Sequence, residues 1–188
     1  MKSLAISVLI MLFTIAATAQ EDVPLTKQEK KALRQEQKKQ NEAIMARTTS
    51  EALKSGRFVM KADQMRGRGG YMMSVNPTTN FVAVEGEEAY FQMASVSGVG
   101  FNGLGGVTLK GKITSFEMNQ EKKHGGYTIM INTVGNGGNL TIVIKVNKTG
   151  DMATASVSSN HGSRIDMSGV LVPWTGTGAQ IYKGRETY

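Results

Sequence analysis

With 188 residues, no cysteine and a formal charge of +7 from 22 basic and 15 acidic side chains, the chain is long enough to bury one substantial core and must hold it together without disulfides. The lack of cysteine also excludes thiolate metal sites, thiol nucleophiles and a lipid anchor carried on a cysteine.

The N-terminus reads as an export signal. Lys2 supplies a positive start, residues 4–16 are apolar apart from Ser7 and Thr14, and Ala17-Thr18-Ala19 places small residues where a signal peptidase reads them. The apolar stretch falls short of the roughly 20 residues that span a bilayer. The expected organisation is a signal peptide over residues 1–19, a basic helical extension over 20–55 and a β-rich domain over 56–188. Cleavage before Gln20 would leave a soluble periplasmic or extracellular protein.

Residues 26–55 have the composition of a helix. Thr26 and Glu29 form a T-x-x-E capping box, good helix formers dominate the rest of the segment, and Gly56 stands where a helix end favours positive φ. This segment carries eight basic and four acidic residues, a surplus of +4; residues 56–188 carry thirteen and nine, the same surplus over a far longer stretch. Residues 27–42 offer only Ala32 and Leu33 as apolar side chains and are expected to be solvated. Ala43, Ile44, Met45, Ala46, Ala52 and Leu53 form a face expected to dock on a sheet, with Thr48, Thr49 and Ser50 as an expected interruption. In an exported protein such a basic helix suits anionic lipid or envelope polysaccharide rather than nucleic acid.

Beyond Gly56 the apolar period changes to two. Strands are expected over 58–65, 81–84, 89–96, around Val107, Leu109 and Ile113, through Tyr127, Ile129 and Ile131, from Leu140 to Val146, from Ala153 to Val157 and over 165–172. Glycine-rich turns separate them, so the expected fold is mainly β: an antiparallel meander closing into a strongly curved sheet, a barrel or a sandwich. Clean alternation implies one face toward a core and the other toward water. Met72 and Met73, beside the Arg66–Gly70 run, read as an exposed loop.

Few residues suggest chemistry. Gly98 to Gly103 spell G-x-G-x-x-G, but a strand rather than a helix comes after, which removes the helix N-terminus a pyrophosphate needs. Gly106 to Lys112 spell G-x-x-x-x-G-K, with Ile113 where a magnesium-binding hydroxyl belongs. His124 and His161 fall in turns, without metal-ligand spacing. Glu87 and Glu88 are adjacent and so face apart on a strand. Asp166, beside Arg164, reads as an outward strand carboxylate. No catalytic residue, metal ligand or cofactor is assigned. Residues 97–106 are instead chosen as a ligand-facing loop: half are glycine, yet Phe101 and Leu104 are large and apolar, with Asn102 between them. They serve either as a lip over an apolar site or as a plug at the end of the barrel.

A set of local motifs carries a family resemblance. These are the run from Ala52 to Phe58, then Lys61-Ala62-Asp63, the turn at Gly86, the segment from Asn102 to Gly106, the Lys122-Lys123 turn, the run from Ala153 to Ser158 and the run from Arg164 to Gly169. With these features the chain resembles DUF4251, a domain of unknown function found in exported Bacteroidetes proteins, over roughly residues 42–172. The resemblance implies fold, export and source, and transfers no site residues.

The expected function is a non-catalytic exported protein that binds an apolar small molecule or an envelope protein partner on a curved sheet. The alternatives are an envelope-associated interaction protein acting through its basic helix, and a hydrolase with an unrecognised site, which a close approach of Asp166, His161 and a serine would favour.

Overall fold

The computed structural model describes residues 26–66, 70–94, 106–135, 138–160 and 164–175. The chain divides into two units, one ending at Glu36 and the other beginning at Gln37. One helix, α1 (Lys27–Lys54), contributes to both. It is followed by β1 (Arg57–Arg66), β2 (Met72–Ser74), β3 (Phe81–Glu85), β4 (Glu88–Met93), β5 (Val107–Gln120), β6 (Tyr127–Gly135), β7 (Gly138–Val146), β8 (Ala153–Ser159) and β9 (Arg164–Pro173). Among the described residues, no helix is long and apolar enough to cross a membrane.

In the first unit α1 opens on the expected capping box. Glu29 Oε2 accepts hydrogen bonds from the Thr26 amide at 2.8 Å and hydroxyl at 2.9 Å, while the Glu29 amide donates to Thr26 Oγ1 at 3.3 Å. The backbone bond, then the hydroxyl bond, holds the Glu29 carboxyl below its ordinary range. All the side chains of residues 27–36 are exposed, as their composition requires.

In the second unit the helix runs through Thr48, Thr49 and Ser50 without the expected break. Thr49 is buried against Gly150, and the ion pair between Arg47 and Glu51 at 2.8 Å spans the same turn. Tertiary contact overrides the weak helix preference of Thr and Ser. The docking face is narrower than its sequence suggests: Thr49, Ala52 and Leu53 are buried, whereas Ile44 is 63% and Met45 42% exposed. Gly56 then takes φ of +64° and turns the chain into β1.

The strands form a closed antiparallel barrel, which decides between barrel and sandwich. β1 and β3 to β9 pair in sequence order, and β9 returns to pair with β1 from Phe58–Pro173 to Arg66–Asp166. The register is steeply staggered. From Gln120 on β5 it passes through Tyr127, Val146, Ala153 and Gly169 to Ala62. From the adjacent Lys61 it passes through Phe81 and Gln92 to Thr108, near the other end of β5. Such a shear requires strongly tilted strands and a wide barrel.

β2, which lies in the stretch expected to be loop, pairs with Gln64 to Arg66 on the edge of β1 that β3 uses further along. β2 and β3 are thus one strand interrupted by residues 75–80, six residues standing opposite only Ala62 and Asp63. Asn76 organises the interruption, accepting at Oδ1 from the Thr78 amide at 3.0 Å and hydroxyl at 2.8 Å.

Directly paired residues share a face, so the register identifies the inner wall. It includes Phe58, Met60, Ala62, Met65, Val82, Val84, Ala89 and Phe91 on one side and Ile129, Ile131, Ile142, Ile144, Ala155 and Met167 on the other, all in the main core. Leu53 of α1 belongs to this core and is 1% exposed. No inward position of the described strands is occupied by Asp, Glu, Lys, Arg or His.

Alternation fails on β3, where Phe81, Val82, Ala83 and Val84 are all buried. Phe81 and Ala83 belong instead to a second apolar cluster with Val59 and Trp174, on the outer face.

Candidate functional site

The inner wall is not equally closed. On β6 and β7, Ile129, Ile131, Ile142 and Ile144 are at most 1% exposed. On β5 the inward Val107, Leu109, Ile113 and Met118 are only half-buried, and Phe116 is 37% exposed. Phe116 is nevertheless an inner residue: it pairs with Ile131, and its ring lies 6.5 Å from that of Phe58, which is fully buried. Met93 and Ile165, at the end of the barrel from which β5 starts, are also half-buried. The apolar interior therefore comes to the surface along β5 and at that end.

β5 reaches both places because of a bulge. Its partners shift between Ile113 and Ser115, leaving Thr114 as an extra residue. One extra residue reverses the sidedness of the remainder of a strand, so odd-numbered residues face inward before it and the even-numbered Phe116 and Met118 after it. The hydroxyl of Thr114 donates to the Asn132 carbonyl at 3.1 Å.

Behind this row lies one unusual polar atom. Thr133 is 2% exposed and pairs with Ile113 on one side and Leu140 on the other, and its Oγ1 has no hydrogen-bond partner. Beside it Gly111 pairs with Gly135, two inward positions without side chains. A Cβ at Gly111 would lie 2.8 Å from Thr133 Oγ1.

A second feature lies on the outer surface: an open groove of ≈ 540 Å³. Lys145, Thr154, Ser168 and Gln64 form a laterally paired row along it, while Glu121, His124, Asn147 and Asp151 come from two hairpin turns. Asp63, in the bulge between β1 and β9, also lines it. Bonds from the Thr149 hydroxyl and from Asn147 Nδ2 at 2.6 Å hold the Asp151 carboxyl below its ordinary range. His124 thus meets carboxylates in one groove, but among the described residues no three His, Asp or Glu side chains come close enough to hold a metal ion.

Other residues raised by the sequence are accounted for individually. Phe101, Asn102 and Leu104 lie outside the described residues, as does His161. The described neighbours Ala94 and Gly106 sit at the half-open end of the barrel, where the Ala94 amide donates to Asn80 Oδ1 at 2.9 Å. Asp166 is outward on β9 and paired with Arg164 at 2.9 Å. Glu88 accepts from the Tyr90 hydroxyl at 2.7 Å and pairs with Lys110 at 2.8 Å, and these bonds, the lysine's first, hold its carboxyl low. Glu87 pairs instead with Lys112 at 3.5 Å. Residues 107–112 are extended strand, which rules out a phosphate loop there.

Sequence reading missed Phe116, Met118, Thr133 and Gly111. The first two were hidden by the bulge, which no alternation rule anticipates. Thr133 comes after Ile129 and Ile131 at the same spacing, so continuing that period by one step was the available signal.

The comparisons agree with this architecture. A family model described as "Domain of unknown function (DUF4251)" matches residues 36–171. The chain is also similar to the crystal structure of a DUF4251 family protein from Bacteroides eggerthii DSM 20697, at 30% identity and a TM-score of 0.58, over 70% of this chain and 89% of that one. No curated protein shows a significant match.

Proposed function

This chain belongs to the DUF4251 family, and on that premise we propose that it is an exported, non-catalytic binding protein whose barrel takes an apolar small molecule. Closed barrels of eight strands are the size that is either filled by side chains or holds one small ligand. The observation that carries the reading is Phe116, an inward residue whose ring is tilted against that of Phe58 yet 37% exposed. A wall meant only to fill the barrel would cover it, because exposing apolar surface costs about 25 cal/mol per Å². Export is supported by the charge, apolar core and small-residue pattern of residues 1–19.

Native mass spectrometry of the folded chain from the cells that make it tests this, with Phe116→Arg alongside. The expected result is a bound apolar molecule in the first protein and none in the second. If neither carries a ligand and neither takes up diphenylhexatriene, a neutral hydrocarbon probe, the reading fails.

The helix favours a second role alongside the first. Its eight basic side chains, six of them on the stretch exposed through residue 45, suit contact with an anionic envelope surface.

A further inference from the structure

We propose that Thr133 is the polar contact of the barrel's ligand and that the ligand is uncharged, a lipid-like molecule with one carbonyl or hydroxyl group. This rests on the reading of the barrel as a binding protein and adds the chemical class of what it binds.

The starting point is the unpartnered hydroxyl. A buried polar group normally finds a partner, and each exception in a native structure calls for a reason. Valine has nearly the shape of threonine and would leave nothing unpaired at this position. Thr133 Oγ1 is buried between Ile113 and Leu140, neither of which can bond to it through its side chain. The Thr133 side chain lies over Gly111, the one inward position of β5 without a side chain, where an added Cβ would stand 2.8 Å from both its Cβ and its Oγ1. The inward neighbours of Gly111 along the strand, Leu109 and Ile113, are half-buried. The hydroxyl thus lies against Gly111, in the stretch of β5 whose inward side chains are half-buried.

The class of ligand is set by the rest of the wall. No inward position of the described strands carries a charge, so a carboxylate or an ammonium drawn inside would be desolvated with nothing opposite it. A hydroxyl both donates and accepts, so it suits a ketone, ester, amide or alcohol equally. The remaining contacts are hydrocarbon. A neutral molecule entering polar group first meets both requirements.

The test compares two neutral fluorescent probes on the full chain: diphenylhexatriene, a pure hydrocarbon, and prodan, which carries one ketone and whose emission reports hydrogen bonding to it. The wild type is expected to bind both. Thr133→Val should leave the diphenylhexatriene affinity unchanged, weaken prodan roughly tenfold, the size of one neutral hydrogen bond, and shift bound prodan emission to the blue. Thr133→Ser should restore prodan binding. The valine variant should melt no lower than wild type, which separates lost contact from lost fold. If both probes bind and valine affects neither, or both equally, the Thr133 assignment is overturned while the binding reading survives. Preferential displacement of prodan by dodecanoate over dodecanol would overturn the uncharged class. Failure of both probes to bind the wild type would instead overturn the binding reading itself, while uptake of diphenylhexatriene without prodan would overturn the Thr133 assignment alone.

Discussion

Gly150 makes room for Thr49: a Cβ on the glycine would stand 2.6 Å from the threonine hydroxyl oxygen and equally close to the Leu171 carbonyl. The turn between β7 and β8, the last turns of α1 and the end of β9 therefore meet over a single missing methyl. The Leu171 amide reinforces the meeting by donating to the Gly150 carbonyl at 2.7 Å.

Gly150→Ala should accordingly be among the costlier single changes in the chain. Its φ of +80° is strained for any L side chain, and the methyl has backbone on one side and Thr49 on the other. A loss of roughly 2–3 kcal/mol is expected in urea unfolding. Gly86→Ala, at φ of +63° with open space around it, should lose only about 1 kcal/mol. Equal losses at the two positions would show that the contact with Thr49 carries no weight.

Burial separates two apolar residues of α1. Leu53→Ala should destabilise the barrel by about 2–5 kcal/mol, as truncations in a packed core do. Ile44→Ala, at a site 63% exposed, should stay within about 0.5 kcal/mol. Chemical denaturation of both variants measures this directly, and a large effect at Ile44 would mean that the face is covered in solution.

Asp151 gives a pH dependence of known sign. Its carboxyl is held low in the folded protein, chiefly by the Thr149 hydroxyl and then by Asn147. The unfolded chain, with a carboxyl near the ordinary value of about 3.9, binds that proton more readily. The contribution is therefore fully present above that value and is lost as pH falls through the folded one. Asp151→Asn should reduce stability at neutral pH by less than about 1 kcal/mol, because the group is exposed to solvent. Melting curves across the acidic range should show the two proteins converging as pH drops; a gap that widens would reverse the assignment.

Contact through the basic helix predicts binding to vesicles containing anionic lipid that weakens as salt rises. Replacing Lys30, Lys31, Arg34 and Lys38 by glutamate should abolish sedimentation with such vesicles and leave probe uptake by the barrel unchanged. Binding that persists at high salt, or survives the charge reversal, would set the helix reading aside.

Most of the barrel was legible because alternation and glycine turns are local signals. Leu140, Ile142, Ile144 and Val146 face inward as their spacing says, and Gly86, Gly125 and Gly150 take the positive φ their turns demand. What escaped depends on partners far along the chain. The helix persists through Thr49 only because Gly150 receives it. Phe81 and Ala83 are buried outward because Val59 and Trp174 meet them there. The candidate site was less legible than the fold: its key side chains lie past a bulge at Thr114, visible only once β6 is laid beside β5.

The pairing of β9 with β1 also sets an order of events. Phe58 and Pro173 are neighbours across that seam although nearly the whole barrel lies between them in sequence. Hairpins such as β6–β7 close over two or three residues and form early, whereas contacts of long separation carry a large loop-closure cost and come late. The nascent chain therefore remains an open ribbon, its apolar face uncovered, until the last strand has left the ribosome. During that interval the protein depends on whatever shields the ribbon, and slowed synthesis of the final strand is where its aggregation should be most easily provoked.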